Sequence, residues 1–136
     1  MITEDYVSLE IAKLLEEKGF DGESHKHYWG YEPGKEFLTA GLFNPEYDYL
    51  APTLQMAMKW LREEHNIHIA INICYTENPK LFHPDYYAYV NSTVTGESLI
   101  KETCPLVQDN SLTPKGFTSY EEACEAAIKY CLEKLI

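Results

Sequence analysis

The fold is decided by the stretch Ile67-His68-Ile69-Ala70-Ile71-Asn72-Ile73-Cys74-Tyr75. Isoleucine occupies every second position of its first seven residues. Successive side chains of a β-strand point to opposite faces of the sheet, so all four isoleucines share one face. The stretch therefore predicts a strand whose isoleucine face packs against helices while its other face, which begins at His68, is more polar.

A partner for this strand is predicted from Tyr86 to Thr93. The connection between the two holds Asn78-Pro79 and His83-Pro84, which are turn-forming pairs. Strands that are neighbours in sequence and joined by a short connection most simply pair antiparallel. We therefore expect an antiparallel pair at the centre of the fold.

The clearest helix lies at the C-terminal end of the chain. Ser119 and Glu122 have the spacing of a capping box, and Thr118 and Glu121 repeat it one residue earlier. The apolar residues that follow recur with a period of 3.6 and form a stripe of Tyr120, Ala123, Cys124, Ala127, Ile128, Cys131, Leu132 and Leu135. We expect this stripe to cover the isoleucine face, and Glu125 to pair with Lys129 on the solvent side.

Two further helices are predicted before the central strand. The first runs from Ser8 to Lys18 and ends at Gly19, which acts as its C-cap. The second begins at Ala51-Pro52-Thr53, with the proline in its first turn, and reaches about Glu64. Its apolar stripe is widened by Met56 and Trp60, so we expect this helix to bury more than one face.

The segments between these elements complete the predicted architecture. Residues 27–31 and 36–40 predict a further hairpin around Pro33-Gly34, and residues 95–117 predict a long loop. The fold class is α+β, in two layers, with a small antiparallel sheet of two to four strands packed against three helices. At 136 residues, we expect a single domain over residues 1–136.

The charge balance restricts the partners. The net charge is −11, from 22 acidic and 11 basic residues, and Arg62 is the one arginine of the chain. A protein that binds nucleic acid directly needs clustered lysine and arginine to displace counterions, so this class is disfavoured. The acidity suits a basic protein partner, but a well-solvated surface is the favoured explanation of the charge alone.

The cysteines and the hydropathy pattern indicate a cytoplasmic protein. No basic region followed by an apolar run opens the chain, and no stretch has 18 consecutive apolar residues, so neither a signal peptide nor a membrane span is predicted. Cys124 and Cys131 share one helix stripe about 10 Å apart, which is too far for a disulfide between them. We expect reduced thiols that act as small buried hydrophobic groups.

No catalytic residue, metal site or cofactor is predicted. His25-x-His27 and His65-x-x-His68 lack the second ligand pair of a zinc signature. Cys104, the thiol that the sequence places in a loop, has no predicted base beside it. Carboxylate pairs arise by chance among 22 acidic residues, and phosphate-binding glycine motifs are absent. An enzyme is therefore the less favoured class.

One segment favours recognition. Residues 25–50 hold seven of the chain's eighteen aromatic side chains, interleaved with acidic residues. Aromatic side chains bury a large area at a small entropy cost and are enriched where proteins recognise partners. The predicted binding residues are Tyr28, Trp29, Tyr31, Tyr47 and Tyr49. The alternative is that these rings cover a sheet edge and cap the core.

Two stretches also carry a resemblance. The first is Ala51-Pro52-Thr53-Leu54-Gln55-Met56-Ala57-Met58-Lys59-Trp60-Leu61-Arg62-Glu63, together with His68-Ile69. The second is the ending from Ser119-Tyr120-Glu121-Glu122-Ala123 to Ile136. Both resemble a group of small uncharacterised proteins. These are encoded by gut anaerobes and by their phages and mobile elements. The resemblance covers residues 51–75 and 117–136. It implies a helix–strand–strand–helix core and a phage or mobile-element origin, and it assigns no site residue.

The leading hypothesis is a small non-enzymatic interaction or accessory module of phage or mobile-element type, with a basic protein partner. Three alternatives stay open. In the first, the acidic surface imitates nucleic acid and occupies a DNA-binding protein. In the second, the protein is a small-molecule-binding protein or an enzyme, with an unfamiliar site of Tyr, His and acidic groups near the sheet edge. A homodimer that seals an apolar helix face or a strand edge is the third.

Overall fold

The structure is a computed structural model that describes residues 2–74, 85–100 and 116–136. The predicted connection that holds Asn78-Pro79 and His83-Pro84, together with Tyr75 and Cys104, lies outside the described residues. The elements follow the order α1 (Leu9–Glu17), β1 (His27–Trp29), β2 (Phe37–Thr39), β3 (Tyr49–Leu50), α2 (Leu54–Glu64), β4 (Ile67–Cys74), β5 (Asp85–Ser92) and α3 (Tyr120–Tyr130), which continues as a π-helical turn over Cys131–Leu135.

The α+β class is confirmed, with three helices and two small antiparallel sheets. β4 and β5 pair in a register that runs from Ile67 opposite Ser92 to Cys74 opposite Asp85. The hairpin predicted around Pro33-Gly34 is present as β1 and β2. Its strands do not extend the β4–β5 pair, however. They form a separate sheet with β3, in the order β2-β1-β3.

The isoleucines of β4 share a face, but their depth decreases along the strand. Ile67 and Ile69 are 3% and 8% exposed, Ile71 is half-buried and packs against the core, and Ile73 is 47% exposed. Both α2 and α3 contact β4, and the burial pattern indicates that they cover its first half. The predicted dry face is therefore confirmed for its first two isoleucines and wrong for Ile73.

The stripe of α3 closes the core as predicted. Its fully buried residues are Ala123, Cys124, Ala127, Ile128, Cys131 and Leu132. The Ser119 hydroxyl caps the helix by accepting from the Glu122 N–H at 3.1 Å. The Glu122 carboxylate accepts from the Thr118 N–H and hydroxyl, so only half of the predicted Ser119–Glu122 capping box forms.

The predicted pair between Glu125 and Lys129 is replaced by contacts with α1. Glu125 Oε1 accepts from the Ser8 N–H at 2.7 Å, and Lys129 Nζ lies 2.9 Å from Glu10 Oε1. Both side chains reach across to the neighbouring helix because α1 and α3 pack side by side. Helical spacing alone does not reveal this neighbour.

The ends of α1 and α2 follow from local chemistry. Gly19 has a φ of +82° and follows the C-cap Lys18, and the Phe20 N–H donates to the Leu15 carbonyl at 2.9 Å in a Schellman motif. Thr53 is the N-cap of α2, so Pro52 precedes the helix and its predicted place in the first turn is wrong.

None of the helices in the described ranges has the length and apolar character needed to cross a bilayer.

Candidate functional site

The sheet β2-β1-β3 sorts the aromatic side chains onto two faces. In its register Tyr28 lies opposite Tyr49, and Trp29 lies opposite Phe37. Tyr28 and Trp29 are neighbours on β1 and point in opposite directions. The five predicted binding residues are therefore not one surface.

Tyr28 and Tyr49 face the interior. Both are half-buried and pack against the core, and the Tyr28 hydroxyl donates to the Val7 carbonyl at 2.7 Å. Burial raises the pKa of Tyr28, and the nearby negative charge of Glu125 adds to this effect. These two rings complete the core, as in the alternative interpretation that the aromatic segment caps the core.

Trp29, Tyr31 and Tyr47 come together on the outer side with Phe37, and we call these four the outer aromatic face. The ring centroids of Trp29 and Phe37 lie 5.3 Å apart, those of Trp29 and Tyr31 5.9 Å, and those of Tyr31 and Tyr47 5.1 Å. Tyr31 is 63% exposed and Phe37 is 53% exposed. Trp29 and Tyr47 are half-buried, so the four rings form one continuous cluster whose exposed members are Tyr31 and Phe37.

Gly30 holds the outer aromatic face together. A Cβ at this position would lie 2.0 Å from the Tyr47 carbonyl oxygen, so only glycine allows the two segments to approach this closely. The Gly30 N–H also donates to Asp48 Oδ1 at 3.0 Å. This approach brings Tyr31 beside Tyr47.

A buried Asp48–His27 pair lies behind this contact. Asp48 is 2% exposed and His27 is 4% exposed. Asp48 Oδ2 accepts from the Asn44 N–H at 2.9 Å and lies 3.5 Å from His27 Nε2, which has no hydrogen-bond partner among the described residues. The carboxylate thus ties residues 44–48 to β1.

The sequence showed Asp48 only as one of the acidic residues interleaved with the aromatic segment, and its burial was not predicted. A signal was present in Asn44-Pro45, a dipeptide that favours turn initiation. The Asn44 side chain accepts from the Glu46 N–H at 3.0 Å, and the Asn44 carbonyl accepts from the Asp48 N–H at 2.9 Å. This tight turn directs Asp48 inward.

Asp48 is also one of the residues that line a cavity. Its volume is about 170 Å³, and it lies between α1 and the segment that precedes β3. The lining residues are Ala12, Leu15, Glu16, Phe20, Phe43, Pro45, Asp48 and Leu50. The Phe43 ring, whose centroid lies 5.4 Å from that of His27, is 41% exposed.

Two other kinds of site, a metal site and a reactive cysteine, were also considered from the sequence. Within residues 2–74, 85–100 and 116–136, no three side chains of His, Cys, Asp or Glu lie close enough together to hold a metal ion. Burial raises the pKa of Cys124 to about 11 and that of Cys131 to about 12. A thiol needs its ionised form to act as a nucleophile, so neither of these two is suited to that role.

Acidic side chains on α1 and α3 are partly engaged within the protein. Glu10 contacts Lys129, Glu125 accepts from Ser8, and Glu122 accepts from Thr118. Beside the outer aromatic face, Glu32 and Glu46 are exposed, and Glu32 Oε2 lies 3.4 Å from Lys35 Nζ. The face is therefore flanked by carboxylates at both Tyr31 and Tyr47.

Comparison with known proteins gives no match to a protein family, to a curated protein or to a solved structure.

Proposed function

We propose that this protein is a non-enzymatic interaction module that binds a basic segment of a protein partner through the outer aromatic face. The observation that carries this proposal is the exposure of Tyr31 and Phe37, at 63% and 53%, within a continuous cluster of four rings. Exposed rings gathered into one patch are characteristic of surfaces that bind other molecules.

The chemistry of the rings suits this role. Tryptophan and tyrosine are enriched among the residues that carry most of the binding energy of protein interfaces. Trp29 is already packed between Tyr31 and Phe37, so its ring loses little conformational freedom when a partner covers it. A preorganised ring cluster gains affinity through this small entropy cost.

The charge supports a basic partner. The net charge of −11 attracts a cationic segment, and Glu32 and Glu46 are each adjacent in sequence to a tyrosine of the face. Lysine and arginine also bind over aromatic rings, with the greatest preference for tryptophan. A segment with alternating basic and apolar residues would use both the rings and the carboxylates.

An accessory role in a phage or mobile element belongs to the same proposal. It is supported by the resemblance of residues 51–75 and 117–136, and the predicted binding residues lie outside both stretches. In this proposal the two stretches supply the shared core, and residues 27–50 supply the binding specificity of this protein.

The proposal is tested by site-directed photo-crosslinking in a lysate of the source cells. A photoreactive phenylalanine analogue replaces Tyr31 or Phe37, and the matched control carries it at Glu63, an exposed position on α2. We expect one protein to be captured from both positions of the face and not from position 63. The captured peptide should be rich in lysine or arginine.

Affinity then measures the contribution of the rings. With the purified partner, Phe37→Ser should weaken binding by about tenfold or more, because truncation of a central interface ring typically removes this much affinity. Glu63→Ser should leave the affinity unchanged. Equal capture from position 63, or an acidic captured segment, would contradict the proposal.

A further inference from the structure

The structure points to a second, separate binding site: we propose that the cavity beside Asp48 binds a small organic ammonium ion whose apolar part is about the size of a benzene ring. This inference goes beyond the proposed interaction function. Among the cavity-lining residues, none belongs to the outer aromatic face. The ligand is held without covalent chemistry.

The size of the cavity sets the apolar part of the ligand. Its volume is about 170 Å³. An engineered apolar cavity of about 150 Å³ in an unrelated protein binds benzene, so a volume of this order accepts a single ring. The walls include Ala12 and Leu15, both 1% exposed, with Phe20 and Leu50 beside them. A ring that binds in this cavity is transferred from water into apolar surroundings.

The charge of the walls sets the polar part. Asp48, whose side chain is buried, and Glu16 of α1, which is exposed, both belong to the cavity lining. None of the residues that line the cavity is a lysine, an arginine or a histidine. Two acidic groups beside apolar walls favour a ligand that combines a cation with an apolar body.

The negative charge of Asp48 is not balanced by a lysine or an arginine among its described contacts. The described contacts of Asp48 are the N–H groups of Gly30 and Asn44, both uncharged, and His27 Nε2 at 3.5 Å. An ammonium group in the cavity can form a charge-assisted hydrogen bond with the exposed Glu16, and the buried charge of Asp48, which water screens only weakly, adds to the attraction.

The outer wall is accessible from solvent. Phe43 is 41% exposed and Pro45 is exposed, and both line the cavity. A ligand therefore approaches through the segment that precedes β3 without disturbing α1. The Phe43 ring offers a further aromatic surface to the bound cation.

The test is a titration of the full chain with benzylamine, followed through backbone amide resonances by NMR. Benzyl alcohol serves as the neutral control of the same shape, and benzoate as the anionic control. We expect benzylamine to shift the amides of Leu15, Phe20, Asp48 and Leu50. Its affinity should exceed that of benzyl alcohol by about tenfold, since a hydrogen bond to a charged group is worth about this factor.

Two variants locate the binding. Ala12→Leu fills the cavity and should abolish the shifts, while the unchanged amide spectrum of β4 and β5 verifies that the variant is folded. Glu16→Gln removes one wall charge and should weaken benzylamine alone, whereas Glu17→Gln, an exposed neighbour outside the lining, should have no effect.

Three results would overturn the proposed site: no shifts at millimolar benzylamine, equal affinity for benzyl alcohol, or full binding by the folded Ala12→Leu variant. Phe37→Ser separates this site from the outer aromatic face. We expect this substitution to leave benzylamine binding unchanged even though it weakens the protein partner.

Discussion

Gly30 lies where the described backbone leaves no room for a side chain. A Cβ here would overlap the Tyr47 carbonyl, at 2.0 Å, and backbone atoms cannot move aside as a flexible side chain can. We expect Gly30→Ala to lower the free energy of unfolding by about 3 kcal/mol, at the upper end of the cost of overpacking. Urea denaturation followed by tryptophan fluorescence measures this loss.

Gly41→Ala provides the matched control. The nearest atom to a Cβ at position 41 is the Thr39 hydroxyl, at 3.6 Å, which is an ordinary contact. Its effect on stability should stay within about 0.5 kcal/mol, as for most surface substitutions. Equal stability of the two variants would show that β1 and residues 44–48 do not approach as described.

The individual binding residues were only partly predictable from sequence. The composition of residues 25–50 identified the aromatic segment, but the direction of each ring depends on strand register. Residues 27–29 have no apolar alternation, so nothing in the sequence assigns Tyr28 to the interior and Trp29 to the surface. The cavity was equally hidden, because its walls come from α1 and from residues 43–50.

At the scale of elements, α1 and α3 are joined by the bond from the Ser8 N–H to Glu125 Oε1, at 2.7 Å. We expect Glu125→Ala to cost about 1–2 kcal/mol, the usual range for a hydrogen bond to a charged group in a partly buried place. Glu125→Gln keeps an acceptor oxygen and should lose less. Thermal and urea unfolding measure both variants.

The comparison for this variant is Glu121→Ala. Glu121 is exposed in the first turn of α3 and contributes mainly through the helix dipole, so its removal should cost under about 0.5 kcal/mol. If Glu125→Ala were no more costly than Glu121→Ala, the bond would not contribute to the joining of the two helices.

Element prediction succeeded where periodicity is strong. The three helices and the β4–β5 strands follow from apolar spacing and from caps such as Ser8 and Ser119, and the antiparallel direction of the pair follows from its short connection. It failed where an element is short: β3 has two residues, Tyr49–Leu50, and no pattern marks it. The separate sheet was therefore missed, because β3 completes it.

At the scale of the whole molecule, the buried thiols make stability depend on pH. Burial raises the pKa of Cys124 from 9.0 to about 11, and that of Cys131 from 9.0 to about 12. The folded state therefore keeps both protons where the unfolded chain releases them. Stability is complete below the ordinary thiol pKa and decreases as the pH rises above it.

The expected loss between about pH 8 and pH 10 is on the order of 1 kcal/mol for each thiol. Urea unfolding at a series of pH values measures it. Cys131→Ala should reduce the slope of stability against pH, whatever its effect on absolute stability, because one of the linked protons is gone. An unchanged slope would exclude Cys131 as a source of the alkaline loss.

The opposite directions of Tyr28 and Trp29 have a consequence for how this protein can diversify. Trp29 packs in a ring cluster that includes the exposed Tyr31 and Phe37, whereas Tyr28 and Tyr49 help to complete the interior. Mutations can therefore change the exposed side chains one at a time while the residues that form the core stay the same. Such a scaffold can follow a changing target through successive generations.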